Sequence, residues 1–246
     1  LIYFQYSITL MEEKNLVQFS PENSFSRRES NMKWLILALS ALSSFGNYYC
    51  IDNVGVLHDH LKDHFKGHLG SSLNESNSFE YYFGLLYSLY SFPNIILPFI
   101  GGILIAKIGN RSVYLIVGVF LLIGQFIFAY GCSQQDITLM LIGRTLFGVG
   151  GETINITQNC MIVKWFKKEE LSFPFALTIT ISRLGSVLND VASPQIASNG
   201  DPSSALWTGY GIVLLSFVCS IALITIDKCI DDGSSDNALN EEDNVE

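Results

Sequence analysis

The chain has 246 residues, 49% hydrophobic and 15% charged, with a formal net charge of -9 and a mean hydropathy of +0.33. Charged residues make up about a quarter of an ordinary soluble domain, so the composition excludes a typical soluble globule. With no basic patch in the sequence, it also excludes a nucleic-acid-binding protein.

Residues 1–32 begin with LIYFQYSITL, an apolar run too short and too poor in basic residues for a secretory signal. Met11 is a plausible natural start, and Glu12 with Leu16 and Val17 loosely imitates an acidic dileucine sorting signal. The polar remainder is expected to be a disordered cytoplasmic segment.

Residues 33–226 hold six apolar segments: Lys33 to Val56, Tyr81 to Ala106, Val113 to Cys132, Ile137 to Val163, Leu171 to Ile196 and Leu206 to Ile226. Each is long enough to cross a hydrocarbon core of about 30 Å as a helix. Short alternating strands are missing, so the expected fold is an all-α membrane protein, a bundle of six transmembrane helices. Pro93 and Pro98 predict a bent second span, and Gly148, Gly150 and Gly151 predict a close helix approach at the fourth.

Arg27, Arg28, Lys33, Lys107, Arg111, Lys164, Lys167, Lys168 and Lys228 all fall on one side of these spans, whereas the short connections on the other side carry no Lys or Arg. Both termini are therefore expected to be cytoplasmic.

The long connection after span one holds all four histidines, His58, His60, His64 and His68, interleaved with Asp59, Lys62, Asp63 and Lys66. A solvated extension of the first helix is the plainer reading, and metal binding or pH sensing is the sharper one. Asn74, followed by Glu75 and Ser76, forms a glycosylation sequon on this non-cytoplasmic side.

Charge inside the spans is sparse and patterned. Arg144, Gly148, Glu152, Asn155 and Asn159 lie on one face of the fourth helix, and Arg183 and Asp190 share a face of the fifth. Ionisable groups at that depth cost roughly 2.5–3.5 kcal/mol each on insertion scales, so they are expected to pair and to line a substrate path. Depth along the helices pairs Glu152 with Arg183 near mid-span, and Arg144 with Asp190 nearer the outer side. Asp52 adds an acidic group at the outer end of span one, beside Tyr48 and Tyr49, with Tyr87 and Tyr90 on span two. These pairs line a path or simply hold helices together; both readings are open.

Residues 227–246 include Asp231, Asp232, Asp236, Glu241, Glu242 and Asp243 among Gly, Ser and Asn, which predicts an acidic disordered cytoplasmic linker. The five cysteines are scattered singly, so no metal-binding spacing exists; Cys50 and Cys132 leave one disulfide open. The intramembrane polar groups offer no nucleophile with its base, no metal cluster and no phosphate loop, so neither an enzyme nor a cofactor is expected.

Several stretches resemble a known family. GGILIAKIGNR (Gly101 to Arg111) resembles the cytoplasmic signature loop of major facilitator superfamily transporters, and IGRTLFGVGGE (Ile142 to Glu152) resembles their span-four signature. Ala106 stands where that loop usually has an aspartate, so the contact which that aspartate makes with the other half of such transporters is not expected here. FGNYYCIDN (Phe45 to Asn53), YSLYSFPN (Tyr87 to Asn94), GGETINITQN (Gly150 to Asn159), WFKKEEL (Trp165 to Leu171) and SRLGS (Ser182 to Ser186) resemble the lysosomal dipeptide transporter branch.

The resemblance implies the amino-terminal six-helix half of a major facilitator fold, a fragment lacking its second half. It further implies alternating-access transport of dipeptides across the lysosomal membrane, with Glu152 and Arg183 holding the two ends of the peptide and Asn155 and Asn159 adding hydrogen bonds. A glycosylated accessory membrane subunit is implied as a partner. Proton coupling and uniport are both open, as are another small anion or zwitterion as cargo and a non-transporting six-span scaffold.

Overall fold

The computed structural model describes residues 27–66, 75–198 and 201–242; His68 and the sequon residue Asn74 lie outside them. The described helices are α1 (Arg27–Ile51), α2 (Asn53–Val56), α3 (His58–His64), α4 (Glu75–Ile108), α5 (Asn110–Ser133), α6 (Ile137–Gly151), α7 (Thr153–Trp165), α8 (Ser172–Ser198) and α9 (Pro202–Glu242). A 3-10 turn, Lys168–Glu170, joins α7 to α8, and no strand occurs among the described residues. The all-α expectation holds.

Five stretches are long and apolar enough to cross a membrane: Met32–Val56, Ser78–Ile108, Asn110–Ser133, Ile137–Trp165 and Pro202–Asp231. The expected count of six is met only in part. The remaining predicted span is present as the 27-residue α8, but Arg183, Asn189, Asp190 and its Ser and Thr residues keep it out of that set.

The bundle packs through small residues. A Cβ at Gly143 of α6 would lie 2.5 Å from the backbone nitrogen of Phe128 on α5, and one at Gly131 of α5 would lie 2.8 Å from the backbone nitrogen of Met140 on α6. At the expected close approach, a Cβ on Gly148 would sit 2.7 Å from the carbonyl oxygen of Tyr90 on α4, and one on Gly150 would sit 2.8 Å from the Leu121 side chain of α5. In a bilayer such backbone proximity supplies the dispersion contact that apolar side chains alone do not, because lipid tails are equally apolar.

α1 lies against α8 on one side and α9 on another, with α7 also in contact. α4 is the least covered: Phe92, Ile95, Ile96, Phe99, Ile100 and Ile103 are all exposed, and the helix runs through Pro93 and Pro98 from Glu75 to Ile108.

Two expected boundaries move. α1 begins at Arg27 and not at 33, and α9 continues past 226 to Glu242, so the described part of the supposed linker is helical. The reason is visible at Asp227, whose side chain is 1% exposed and accepts from Arg111 Nε at 2.5 Å, Lys164 Nζ at 2.8 Å and Trp165 Nε1 at 2.8 Å. Arg111 and Lys164 also pair with Asp231. Two cations and two carboxylates thus neutralise one another where α5, α7 and α9 meet, so the bundle does not end at the last apolar residue. The five cysteines are free thiols, Cys50 and Cys132 included.

Candidate functional site

The fourth span is discontinuous. α6 ends at Gly151, Glu152 has φ -88° and ψ -27°, and α7 begins at Thr153. A break of this kind frees backbone groups that must find other partners within a membrane, and here Asn47 of α1 donates from Nδ2 to the Gly151 carbonyl at 3.0 Å. Ser44 Oγ donates to Gln158 Oε1 at 2.7 Å, and Gln158 Nε2 donates to the Ser40 carbonyl at 2.7 Å, which fastens α7 along the same face of α1.

Glu152 is presented at this break on an exposed face of the bundle. Asn155, one turn into α7, donates to Glu152 Oε2 at 3.3 Å, and Asn159 follows half-buried on the same helix. Arg183 projects from α8, also exposed. The two charges were expected to pair, and the structure corrects this: no ion pair joins them among the described residues. Tyr48 of α1 stands with both. The Arg183 guanidinium lies 4.6 Å from the Tyr48 ring centroid, and the phenol is within electrostatic reach of Glu152, Arg183 and Asn155.

The second expected pair is also replaced. Arg144 is 1% exposed and donates from Nη1 to the Cys50 carbonyl at 2.9 Å and from Nη2 to the Ile51 carbonyl. Its guanidinium is walled by the rings of Tyr90 at 5.0 Å, Phe128 at 5.5 Å and Phe147 at 5.5 Å. It therefore closes the carboxyl end of α1, where two of the last carbonyls have no partner in their own helix. Asp190 stays exposed on α8, and the charge acting on it is Asp52, which also acts on Arg144. Both corrections share one physical cause. Equal depth does not make spans four and five adjacent at these residues: α1 packs against both and supplies the partners of the two arginines.

Tyr48, Glu152, Asn155 and Arg183 thus bring an aromatic face, a carboxylate, an amide and a guanidinium to one open side of the bundle. Glu152 and Arg183 are not spent on each other, so an ammonium at one end of a solute and a carboxylate at the other each meet a complementary charge. Sequence reasoning placed Tyr48 only at an outer mouth and overlooked Asn47. Its one available signal was that Asn47 and Tyr48 stand four residues before Ile51 and Asp52, one helical turn away.

Comparison with known proteins agrees with this architecture. The family model described as Major Facilitator Superfamily matches residues 34–235. The chain is 35% identical over 205 residues to the lysosomal dipeptide transporter MFSD1 of Bos taurus and to that of Homo sapiens, and 34% identical to that of Danio rerio. In each case the match covers 79% of this chain and 42% of the relative, so the chain spans less than half the length of these proteins. An uninterrupted family match across the described helices, joined to a broken fourth helix that carries an exposed carboxylate, makes this multi-pass membrane chain a member of the major facilitator superfamily.

Proposed function

We propose that the chain forms the amino-terminal half of a transporter that moves dipeptides across the lysosomal membrane by alternating access. Glu152 takes the ammonium end of the peptide, Arg183 the carboxylate end, and Asn155 and Asn159 bond its backbone; Tyr48 keeps the two charges apart. α8 serves as the sixth span, both termini face the cytoplasm, and Asn74 is glycosylated on the opposite side. A second six-helix half covers the open faces of α4 and α8, and the site lies between the halves, as in transporters built from related repeats. A glycosylated membrane subunit accompanies it, and transport is uniport.

One observation carries the reading: a carboxylate at a helix break and a guanidinium on α8 face the same open side without neutralising each other. The relatives, which are lysosomal dipeptide transporters, suggest the cargo class and compartment. The test is thermal unfolding of the full-length transporter with a panel of dipeptides. A ligand at 100 times its Kd adds about 2.7 kcal/mol, and that gain is expected to vanish in Arg183→Ala. A well-folded wild type stabilised by no dipeptide overturns the cargo.

A further inference from the structure

The histidines outside the bundle are held in an arrangement that the transport reading does not use. In α3, His58 Nδ1 lies 2.8 Å from Asp59 Oδ1 and its Nε2 lies 3.2 Å from Glu80 Oε2 of α4. His64 Nδ1 lies 3.0 Å from Asp201 Oδ1, just before α9, and its Nε2 lies 3.1 Å from the carbonyl of Cys132 in α5. The His58 ring therefore faces an oxygen acceptor at both nitrogens. A neutral imidazole has one donor and one acceptor nitrogen, so either tautomer sets a lone pair against an oxygen lone pair. Only the imidazolium satisfies both contacts.

The two histidines are also where α3 is attached. His58 ties it to α4, with its ring edge-on to Phe83 at 4.5 Å and Phe79 at 5.6 Å. His64 ties it to the end of α5 and the start of α9, and its own carbonyl accepts from Gln135 Nε2 at 3.0 Å. Leu57, Leu61 and Phe65 are buried beneath the segment. α3 thus crosses the end of the bundle opposite the Arg111 and Lys164 cluster.

We propose that His58 is a proton-binding site, and that its protonation in an acidic compartment fastens α3 as a strap across the end of the bundle, with His64 as the second attachment point, while neutral pH loosens it. The charged and titratable groups around them favour this direction. Asp59 and Lys62 of α3 and Glu80 of α4 surround His58, with Lys62 bonded to the other Glu80 oxygen at 2.8 Å. Asp201 stands at His64 and acts on the Cys132 thiol. Asp63 pairs with Lys66 beside them and has His60 near it.

The carboxylate of Asp59, followed by that of Glu80, holds the His58 imidazole above its ordinary value. A raised folded-state value means that the stabilisation is complete below about 6.5, the unfolded value, and is lost as pH rises through the folded one. The strap is therefore closed in acid and opens toward neutrality. This inference does not depend on what the transporter carries.

Hydrogen exchange on the full-length transporter, at about pH 5 and about pH 8 and corrected for intrinsic rates, tests it. Peptides covering 57–66 are expected to exchange more slowly in acid than at the higher pH. His58→Gln is expected to abolish the difference. Equal corrected protection at both pH values in the wild type, or an unchanged difference in the variant, overturns the proposal. If the variant does not fold, imidazole C2-proton exchange in the wild type decides: a His58 midpoint above about 6.5 supports the strap and one at or below it overturns it.

Discussion

Arg144 reaches from α6 and donates to the carbonyl of Cys50 at 2.9 Å. A fully buried cation is thereby held by backbone oxygens and aromatic faces, with no carboxylate among the described residues bonded to it. Arg144→Leu removes the charge but leaves the Cys50 and Ile51 carbonyls without a partner, at roughly 1–3 kcal/mol each. Arg144→Lys is expected to recover only part of this, because an ammonium lacks the planar fork that spans two carbonyls. Unfolding of the two variants in detergent, with Leu at or above the cost of Lys, checks the assignment; a Leu variant as stable as the wild type refutes it.

Tyr48 is predicted to act through its ring. Tyr48→Phe keeps the face beneath Arg183 and is expected to bind substrate nearly as the wild type does. Tyr48→Ala loses a cation–π contact of about 0.5–2 kcal/mol and is expected to weaken binding about 2- to 30-fold. Titration calorimetry distinguishes them, and equal losses in both would assign the role to the hydroxyl.

Asp227 is the counter-ion for two cations at once. Asp227→Ala leaves Arg111 and Lys164 to share Asp231 and strips Trp165 of its acceptor. Both cations are partly solvated, so the expected loss is about 1–3 kcal/mol, below the figure for a fully buried pair. Asp227→Asn, which retains an acceptor oxygen, is expected to lose less. The comparison of melting temperatures at low and high salt checks this: an effect of charge shrinks with salt.

Gly148 has no room for a side chain, with the Tyr90 carbonyl 2.7 Å from where a Cβ would be. Gly148→Ala is expected to force α4 and α6 apart and to cost about 1–3 kcal/mol. Gly211, which meets nothing within 4 Å, is the control: Gly211→Ala is expected to be neutral or slightly stabilising, by up to about 1 kcal/mol, since it sits within α9. Equal effects at the two positions would contradict the packing described here.

The parts of the fold that were legible in the sequence are those governed by local composition. α4, α5 and the apolar part of α9 follow from uninterrupted hydrophobic runs, and the close approach at Gly148 and Gly150 follows from their small size. The pairings were not legible, for a geometric reason. Sequence gives depth along each helix but not which helix is its neighbour, so Glu152 and Arg183 were matched although α1 packs against both of their helices. Arg144 is bonded to backbone carbonyls, which every residue has, and nothing in a sequence marks the two it will use. Asp227 was averaged into an acidic run, although it is the first acidic residue after the apolar stretch and Arg111 and Lys164 were already assigned to its end of the bundle.

The order of synthesis gives the neutral quartet at α5, α7 and α9 a second consequence. Arg111 and Lys164 are made well before Asp227 and Asp231. While the nascent chain is being threaded into the bilayer they stand as free cations, the feature that biases loop retention. Once α9 has arrived, the same residues carry no net charge into the assembled protein. The last helix thus neutralises two cations made long before it, so a chain interrupted before Asp227 would retain two uncompensated cations that the finished bundle pairs.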